Sequence, residues 1–266
     1  MTENTELVVV SIEGSVMTIT LNRPERLNAL DTATLQQLEA AIIRANVVDE
    51  VRCVVLTGAG RAFCAGADVK DWGGATSLDT EATPEEDWVT LAHRIVARIY
   101  RTPKPIIAAV NGVAVGAGLD MALACDFRIA SDRARFGSVY IRLGIPPDAG
   151  ATFFLPRIVG MTKAKELIYT GRIIDAEEAG AIGLAGRVVA SESLASEVAT
   201  FAAELASGPT IAIGMAKENI QEHWMMSLEN ALRSEKRAEQ LCEATADHAE
   251  GLLAVNEKRQ PHFQAR

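Results

Sequence analysis

The stretch Pro105–Asp120, PIIAAVNGVAVGAGLD, constrains the fold more than any other part of the chain. Ile106–Val110 is a short apolar run, as expected of a strand buried on both faces. Asn111-Gly112 is a turn signal. Gly116-Ala117-Gly118 then removes side-chain bulk just before the apolar pattern of Leu119, Met121, Ala122, Leu123 and Cys125. A buried strand, a small-residue loop and a helix start leave backbone N–H groups facing outward, an arrangement that stabilises a negative oxygen. The loop is read as half of an oxyanion hole. Three other readings compete. A membrane span would place Asn111, Asp120 and the turn glycines in hydrocarbon, which argues against it. A dinucleotide fingerprint fails, because Met121 stands where the third glycine is needed. Tight packing of a buried helix on a strand selects the same small residues. A second small-residue loop upstream, Phe63-Cys64-Ala65-Gly66-Ala67-Asp68, weighs against packing as the whole explanation.

A chain of 266 residues suits one large domain, or one domain with a helical extension. Its 48% hydrophobic and 23% charged residues are ordinary for a soluble globular protein and suffice for a large core. The net charge of −9 argues against non-specific nucleic-acid binding, while leaving room for a local basic patch facing a phosphorylated ligand. Cys53, Cys64, Cys125 and Cys242 show no CxxC or metal-like clustering, so buried free thiols in a reducing compartment are expected, and no metal site. Met1–Glu6 is polar and acidic, with neither a basic n-region nor an apolar h-region. The expectation is a cytoplasmic protein without a targeting peptide.

Along the chain, Leu7–Ile12 and Val16–Leu21 read as a hairpin. Asp31 reads as the N-cap of a helix through Asn46, with Leu35, Leu38, Ile42 and Ala45 on one face. Val51–Leu56 is a buried strand, Phe63–Asp68 a strand end running into a helix, and Trp72–Glu86 a mobile loop. Trp88–Tyr100 is helical. Strands at Phe127–Ala130 and Ala134–Gly137 precede a loop, Leu143–Gly150, that delivers Asp148 at the mouth of another helix. Short helices at Thr162–Thr170 and Ala176–Ala181 and a strand fragment at Val188-Val189 follow. From Ser193 the reading is helical, broken at Gly208-Pro209. This order predicts an α/β core over residues 1–192 and a helical region over 193–266 of the kind that mediates oligomers. There is no internal repeat or low-complexity segment.

The motifs resemble the crotonase (enoyl-CoA hydratase/isomerase) superfamily over nearly the whole chain. The match runs through Asn22–Leu30, Ala62–Lys70, Lys104-Pro105, Asn111-Gly112, Asp148-Ala149-Gly150, Leu155-Pro156-Arg157, Thr170-Gly171-Arg172 and Glu257-Lys258-Arg259. The resemblance implies a spiral of ββα turns, a trimer or dimer of trimers whose C-terminal helices cover the site, and a CoA thioester substrate. Coenzyme A belongs to that substrate, so no separate cofactor is expected; nor is a nucleic-acid or membrane partner. Carried over by motif, the two N–H groups that hold the thioester oxygen belong to Ala67 and Ala117. Arg26 matches the basic residue near the CoA phosphates. Leu27, Ala29, Ala65, Asp68, Val69 and Lys70 match the turns around adenine and pantetheine. Lys258 and Phe263 lie in a tail that reaches a neighbouring subunit's nucleotide. For Arg26 and Lys258 a solvated surface charge is the competing reading.

The departures from the family's pattern bear on the chemistry. Its hydratases use two Glu side chains, because water adds across a double bond and two acid/base groups are needed. Here those positions hold Asp120 and Tyr140, and a tyrosine with pKa near 10 is a poor base at neutral pH. Asp148 is the replacement candidate, since isomerases of the family place one carboxylate on this side of the pocket and move a proton from the α to the γ carbon. The competing reading is that Asp148 caps a helix starting at Ala149. Asp148 and His93 also match a nucleophilic Asp and an upstream His of 4-chlorobenzoyl-CoA dehalogenase, with Tyr140 in place of its Trp. His93 is equally explained as a partly buried residue packing over the loop. The expectation is isomerisation of an enoyl-CoA with Asp148 as base. The alternatives are hydration using Asp120, dehalogenation, and a non-catalytic binding or scaffold member.

Overall fold

The computed structural model describes residues 6–68 and 87–266. Strands β1 (Val8–Glu13) and β2 (Val16–Leu21) pair antiparallel with Glu13 opposite Val16, leaving a two-residue turn at Gly14-Ser15. The first strand is thus as long as expected but displaced one residue toward the turn, because Gly14 at φ 57 supplies the left-handed residue such a turn needs. Helix α1 (Thr32–Val47) starts at the expected cap, where the Asp31 carboxylate accepts the Thr34 N–H at 2.7 Å.

Three strand–strand–helix steps follow. The first is β3 (Cys53–Gly58), β4 (Ala62–Cys64) and α2 (Trp88–Arg101). The second is β5 (Ile106–Val110), β6 (Val113–Val115) and α3 (Ala117–Ala124). The third is β7 (Phe127–Ser131), β8 (Arg135–Gly137) and α4 (Ala151–Val159). Then come α5 (Met161–Thr170), β9 (Ile174–Asp175), α6 (Ala176–Ala181) and β10 (Arg187–Val189). In each step the first strand enters a six-stranded sheet, ordered β1-β2-β3-β5-β7-β10, and the second enters a four-stranded sheet, ordered β4-β6-β8-β9. Pairing is parallel except at β1·β2 and β8·β9. This is the α/β spiral of ββα turns expected from the resemblance.

The central strands β3 and β5 are mostly apolar because both faces of the large sheet are covered. One face packs on α1, α2 and α3, through residues such as Leu38, Ile95 and Leu123. The other receives α7 (Leu194–Ser207), whose Leu194, Val198, Ala202 and Ala206 meet Cys53, Val55, Ile107, Ala109 and Ile129. The helical region therefore begins as a layer on the sheet and leaves it only after Ser207. It continues as α8 (Thr210–Glu222), α9 (Leu228–Glu243) and α10 (Ala246–Glu257). Polar ties hold it: Lys217 pairs with Asp126 at 2.7 Å, Gln221 donates to Tyr100 O at 2.8 Å, and Arg52 donates to Thr210 Oγ1, Gly208 O and Phe263 O. Ile220, Trp224, Met225, Leu228 and Leu232 are left exposed. Among the described residues no single helix is long and apolar enough to cross a membrane.

Candidate active site

The site forms where the short strands of the small sheet end. Helix α3 is buried on every side, and its backbone lies so close to β4 that a Cβ at Gly118 would sit 2.3 Å from the Cys64 carbonyl oxygen. That contact explains the glycine at 118, while Gly116 adopts φ +55. The same contact also fixes the first N–H of α3, on Ala117, beside the chain leaving β4. There Ala67 forms a parallel bridge with Leu30: the Leu30 N–H donates to Gly66 O, and the Leu30 carbonyl accepts the Asp68 N–H. In such a bridge the Ala67 N–H points away from Leu30. Among the described residues neither the Ala67 nor the Ala117 N–H has a protein acceptor. The two loops touch, since a Cβ on Gly66 (φ +85) would lie 3.4 Å from Ala117 N and 2.9 Å from Val115 O.

Both N–H groups open on a cavity of about 350 Å³ lined by Ala65, Gly66, Ala67, Trp88, Val115, Ala117, Val139, Tyr140, Leu143, Ile145 and Ile173, with Arg142 and Asp148 as its charged residues. The wall is mostly apolar, so a negative oxygen inside it gains much from two fixed donors. Asp148 does not cap a helix. Helix α4 starts at Ala151 with Gly150 (φ 112) as its N-cap, and the Asp148 Oδ1 is buried without a hydrogen-bond partner. Burial pushes the Asp148 carboxyl above its ordinary range, while the Tyr140 hydroxyl and the charge of His93 pull it back.

Asp120 sits behind the cavity wall, fully buried in the first turn of α3. Its Oδ2 meets the Tyr140 hydroxyl at 2.5 Å, and its Oδ1 is buried without a partner. Burial raises this carboxyl to about 7; the Tyr140 hydrogen bond opposes the shift and the nearby Asp148 charge adds to it. Tyr140, on the 3-10 turn of residues 139–143, is driven well above the usual phenol range by desolvation and by both carboxylates. His93 is exposed on α2 and does not line the cavity; its Nε2–H donates to the Asp148 backbone carbonyl and steadies that loop.

The residues expected around CoA fall into distinct places. Arg26 is exposed on the 3-10 turn of residues 24–26. Leu27 and Asn28 are both left-handed, at φ 52 and 57, and the Leu27 carbonyl accepts the Ala65 N–H at 3.0 Å. Ala29 is buried and its carbonyl accepts from Arg23 at 2.6 Å. Asp68 is 6% exposed and engaged by Arg23 at 3.1 Å, so its charge ties the two loops together. Val69 and Lys70, and the loop read at Trp72–Glu86, lie outside the described residues. Lys258 is exposed at the C-cap of α10, and Phe263 lines a separate cavity among α8, α9 and α10. Sequence reasoning did not single out Arg23 or Asn28. Asn28 is fully buried and holds Ala59 O, Ala62 O and the Arg23 N–H, a use of Asn that its tolerance of the left-handed region makes readable.

Comparison with known proteins agrees with this fold. Residues 11–266 match the family model described as enoyl-CoA hydratase/isomerase. The chain belongs to the enoyl-CoA hydratase/isomerase family. It is 38% identical to a 1,2-epoxyphenylacetyl-CoA isomerase of Escherichia coli over 97% of this chain and 98% of the relative. It is 37% identical to a crotonyl-CoA hydratase of Syntrophomonas wolfei over the same shares of the two chains. A crystal structure of an enoyl-CoA hydratase from Bacillus anthracis superposes with a TM-score of 0.92 at 38% identity, covering 98% of this chain and all of that one. The family thus holds both isomerases and hydratases at similar distance from this chain.

Proposed function

We propose that the protein shifts a carbon–carbon double bond in an enoyl-CoA thioester, with Asp148 as the base and the Ala67 and Ala117 N–H groups as the oxyanion hole. The observation that carries this reading is the placement of acids: among the described residues Asp148 is the one carboxylate lining the cavity, and Asp120 lies behind the wall on Tyr140. A carboxylate with a raised pKa and an unpartnered buried oxygen is a competent base for an acidified α proton. Two donors on the thioester oxygen stabilise the enolate formed, each worth about 3–4 kcal/mol when lost. Coenzyme A enters as part of the substrate. The exposed apolar residues of α8 and α9 suit association into a trimer or hexamer, and the reading places the enzyme in the cytoplasm.

The test is turnover of a 3-enoyl-CoA, followed by absorbance of the conjugated product, on wild type and Asp148→Asn. The amide keeps the side chain's shape, so the variant is expected to bind the thioester within about threefold of wild type. It should lose at least ~10³-fold in kcat, the upper part of the general-base range. Full activity in Asp148→Asn overturns the proposal. Rapid hydration of a 2-enoyl-CoA by wild type, without isomerisation, favours the hydratase chemistry of the Syntrophomonas relative instead.

A further inference from the structure

Tyr140 poses a problem of proton counting. Its hydroxyl lies 2.5 Å from the Asp120 Oδ2, and Tyr140 and Asp148 line the same cavity, near enough for the Asp148 charge to act on the phenol. A phenol has one proton and cannot donate to two carboxylates at once. Two carboxylates flanking one hydroxyl in an apolar site do not both ionise. The one that keeps a proton is Asp120, which is 0% exposed, whereas Asp148 faces the cavity. A contact of 2.5 Å serves equally with the proton on the carboxyl oxygen. With the Asp120 carboxyl donating to the Tyr140 oxygen, the Tyr140 hydroxyl proton is free to turn toward the cavity and the Asp148 carboxylate that shares it. Burial of Asp120, which lifts its pKa to about 7, agrees with this order.

We propose that Asp120, Tyr140 and Asp148 form a proton relay in which Tyr140, a residue of the cavity wall, delivers the proton that completes the double-bond shift. The proposal rests on the isomerase reading above. Asp148 takes the α proton, the C–H electron pair moves into the enolate, and the thioester oxygen gains the charge held by the two N–H groups. Tyr140 then gives its proton to the γ carbon as that carbon's double bond shifts. In the same step Asp120 passes its own proton to the phenolic oxygen, so no free phenolate forms. Asp120 is left as a carboxylate, and the proton on Asp148 returns to it through the Tyr140 hydroxyl. The three groups carry one negative charge before and after the cycle, and no co-reactant is needed. Asp120 acts only through Tyr140 and is a positioning residue and proton reserve. This supplies a second acid/base group from residues that replace the paired glutamates of the family's hydratases.

The relay predicts where a label goes. A 3-enoyl-CoA carrying deuterium at the α carbon is converted under single-turnover conditions in ordinary water, and the product is analysed for deuterium at the γ carbon. With the relay intact, the γ carbon receives hydrogen from Tyr140, and little label is transferred. In Tyr140→Phe, Asp148 must return the proton it took, so label at the γ carbon should rise at least threefold among the product that forms. Asp120→Asn still donates a hydrogen bond to Tyr140 but cannot release a proton. It should show the same rise, with kcat lowered tenfold or more and KM within twofold. Equal label transfer in wild type and both variants, with Asp148→Asn inactive, overturns the relay alone. Loss of the α label by Asp148→Asn at the wild-type rate overturns the isomerase reading and the relay together.

Discussion

Replacing Asp120 by Asn tests whether the carboxyl beneath the site is neutral, through the pH dependence of stability. In the folded protein the carboxyl titrates at about 7 instead of 3.8, because it is fully buried and faces the Asp148 charge. Its folded pKa is raised, so between these values the native state keeps a proton that the unfolded state has lost. Stability then falls as pH rises. The contribution is fully present below about pH 4 and gone above about pH 7. At about 1.4 kcal/mol per pH unit, the whole span corresponds to roughly 4 kcal/mol, of which about 3 falls between pH 5 and pH 7. The amide of Asp120→Asn has no such dependence. The two proteins should be closest in stability near pH 4, and the variant should gain about 3 kcal/mol relative to wild type between pH 5 and pH 8. Groups not coupled to residue 120 cancel in the difference. Urea unfolding at pH 5, 6, 7 and 8, at one protein concentration to hold any assembly fixed, measures it. A difference that is flat across the range refutes the neutral carboxyl, and one that moves in favour of wild type reverses the sign of its pKa shift.

Gly66→Ala forces φ +85 on a residue with a Cβ and brings that carbon 2.9 Å from Val115 O, so kcat should fall at least ~10²-fold while the thioester still binds, as steady-state kinetics will show. Lys217→Met leaves the half-buried Asp126 without its ion-pair partner and should cost about 1.5–3 kcal/mol in urea unfolding, loosening α8 from the sheet. Burial pushes the thiols of Cys53, Cys64 and Cys125 up to about 12, so a thiol reagent at pH 8 should modify Cys242 alone in the folded protein, counted by intact mass.

Much of the large sheet was legible because its strands are long enough to show themselves. Ile106–Val110 is found with the boundaries read from its apolar run, and the Asp31 cap and the break at Gly208-Pro209 also sit where their residue types put them. The small sheet was harder. Its strand β6, Val113–Val115, lies between two glycine-rich pieces and is too short for a period to register, so the 111–118 segment reads as one loop. The competing reading of Asp148 as a cap arises because Asp favours that position, yet the loop carries the chain two residues further and Gly150 takes the left-handed turn. The two small-residue loops were legible in the sequence, and the structure brings both to one cavity. The contact of Asp120 with Tyr140 was not legible, because it joins residues 20 apart on different elements, and no local spacing encodes it.

The topology explains why these pieces meet. In the small sheet β4, β6 and β8 are parallel neighbours, so the segments that follow them emerge side by side at one end. Those segments carry Ala67, Ala117 and Tyr140, in that order. Each is delivered by the same strand–strand–helix step, with ligand space at the carboxyl ends of the strands, as in other parallel sheets. The first two steps contribute backbone N–H groups, which depend on chain path and not on side-chain identity. The third contributes side chains: Tyr140 directly after β8, and Asp148 from the loop before α4. In the proposed mechanism, enolate stabilisation is thereby separated from proton handling. A change at residue 120, 140 or 148 alters which proton moves and leaves the donors in place, whereas a Cβ at Gly66 disturbs the donors and spares the acids. The double variant Gly66→Ala/Tyr140→Phe should therefore lower kcat by close to the product of the two single effects, and a double variant no worse than the poorer single one would show that the two functions are not separate.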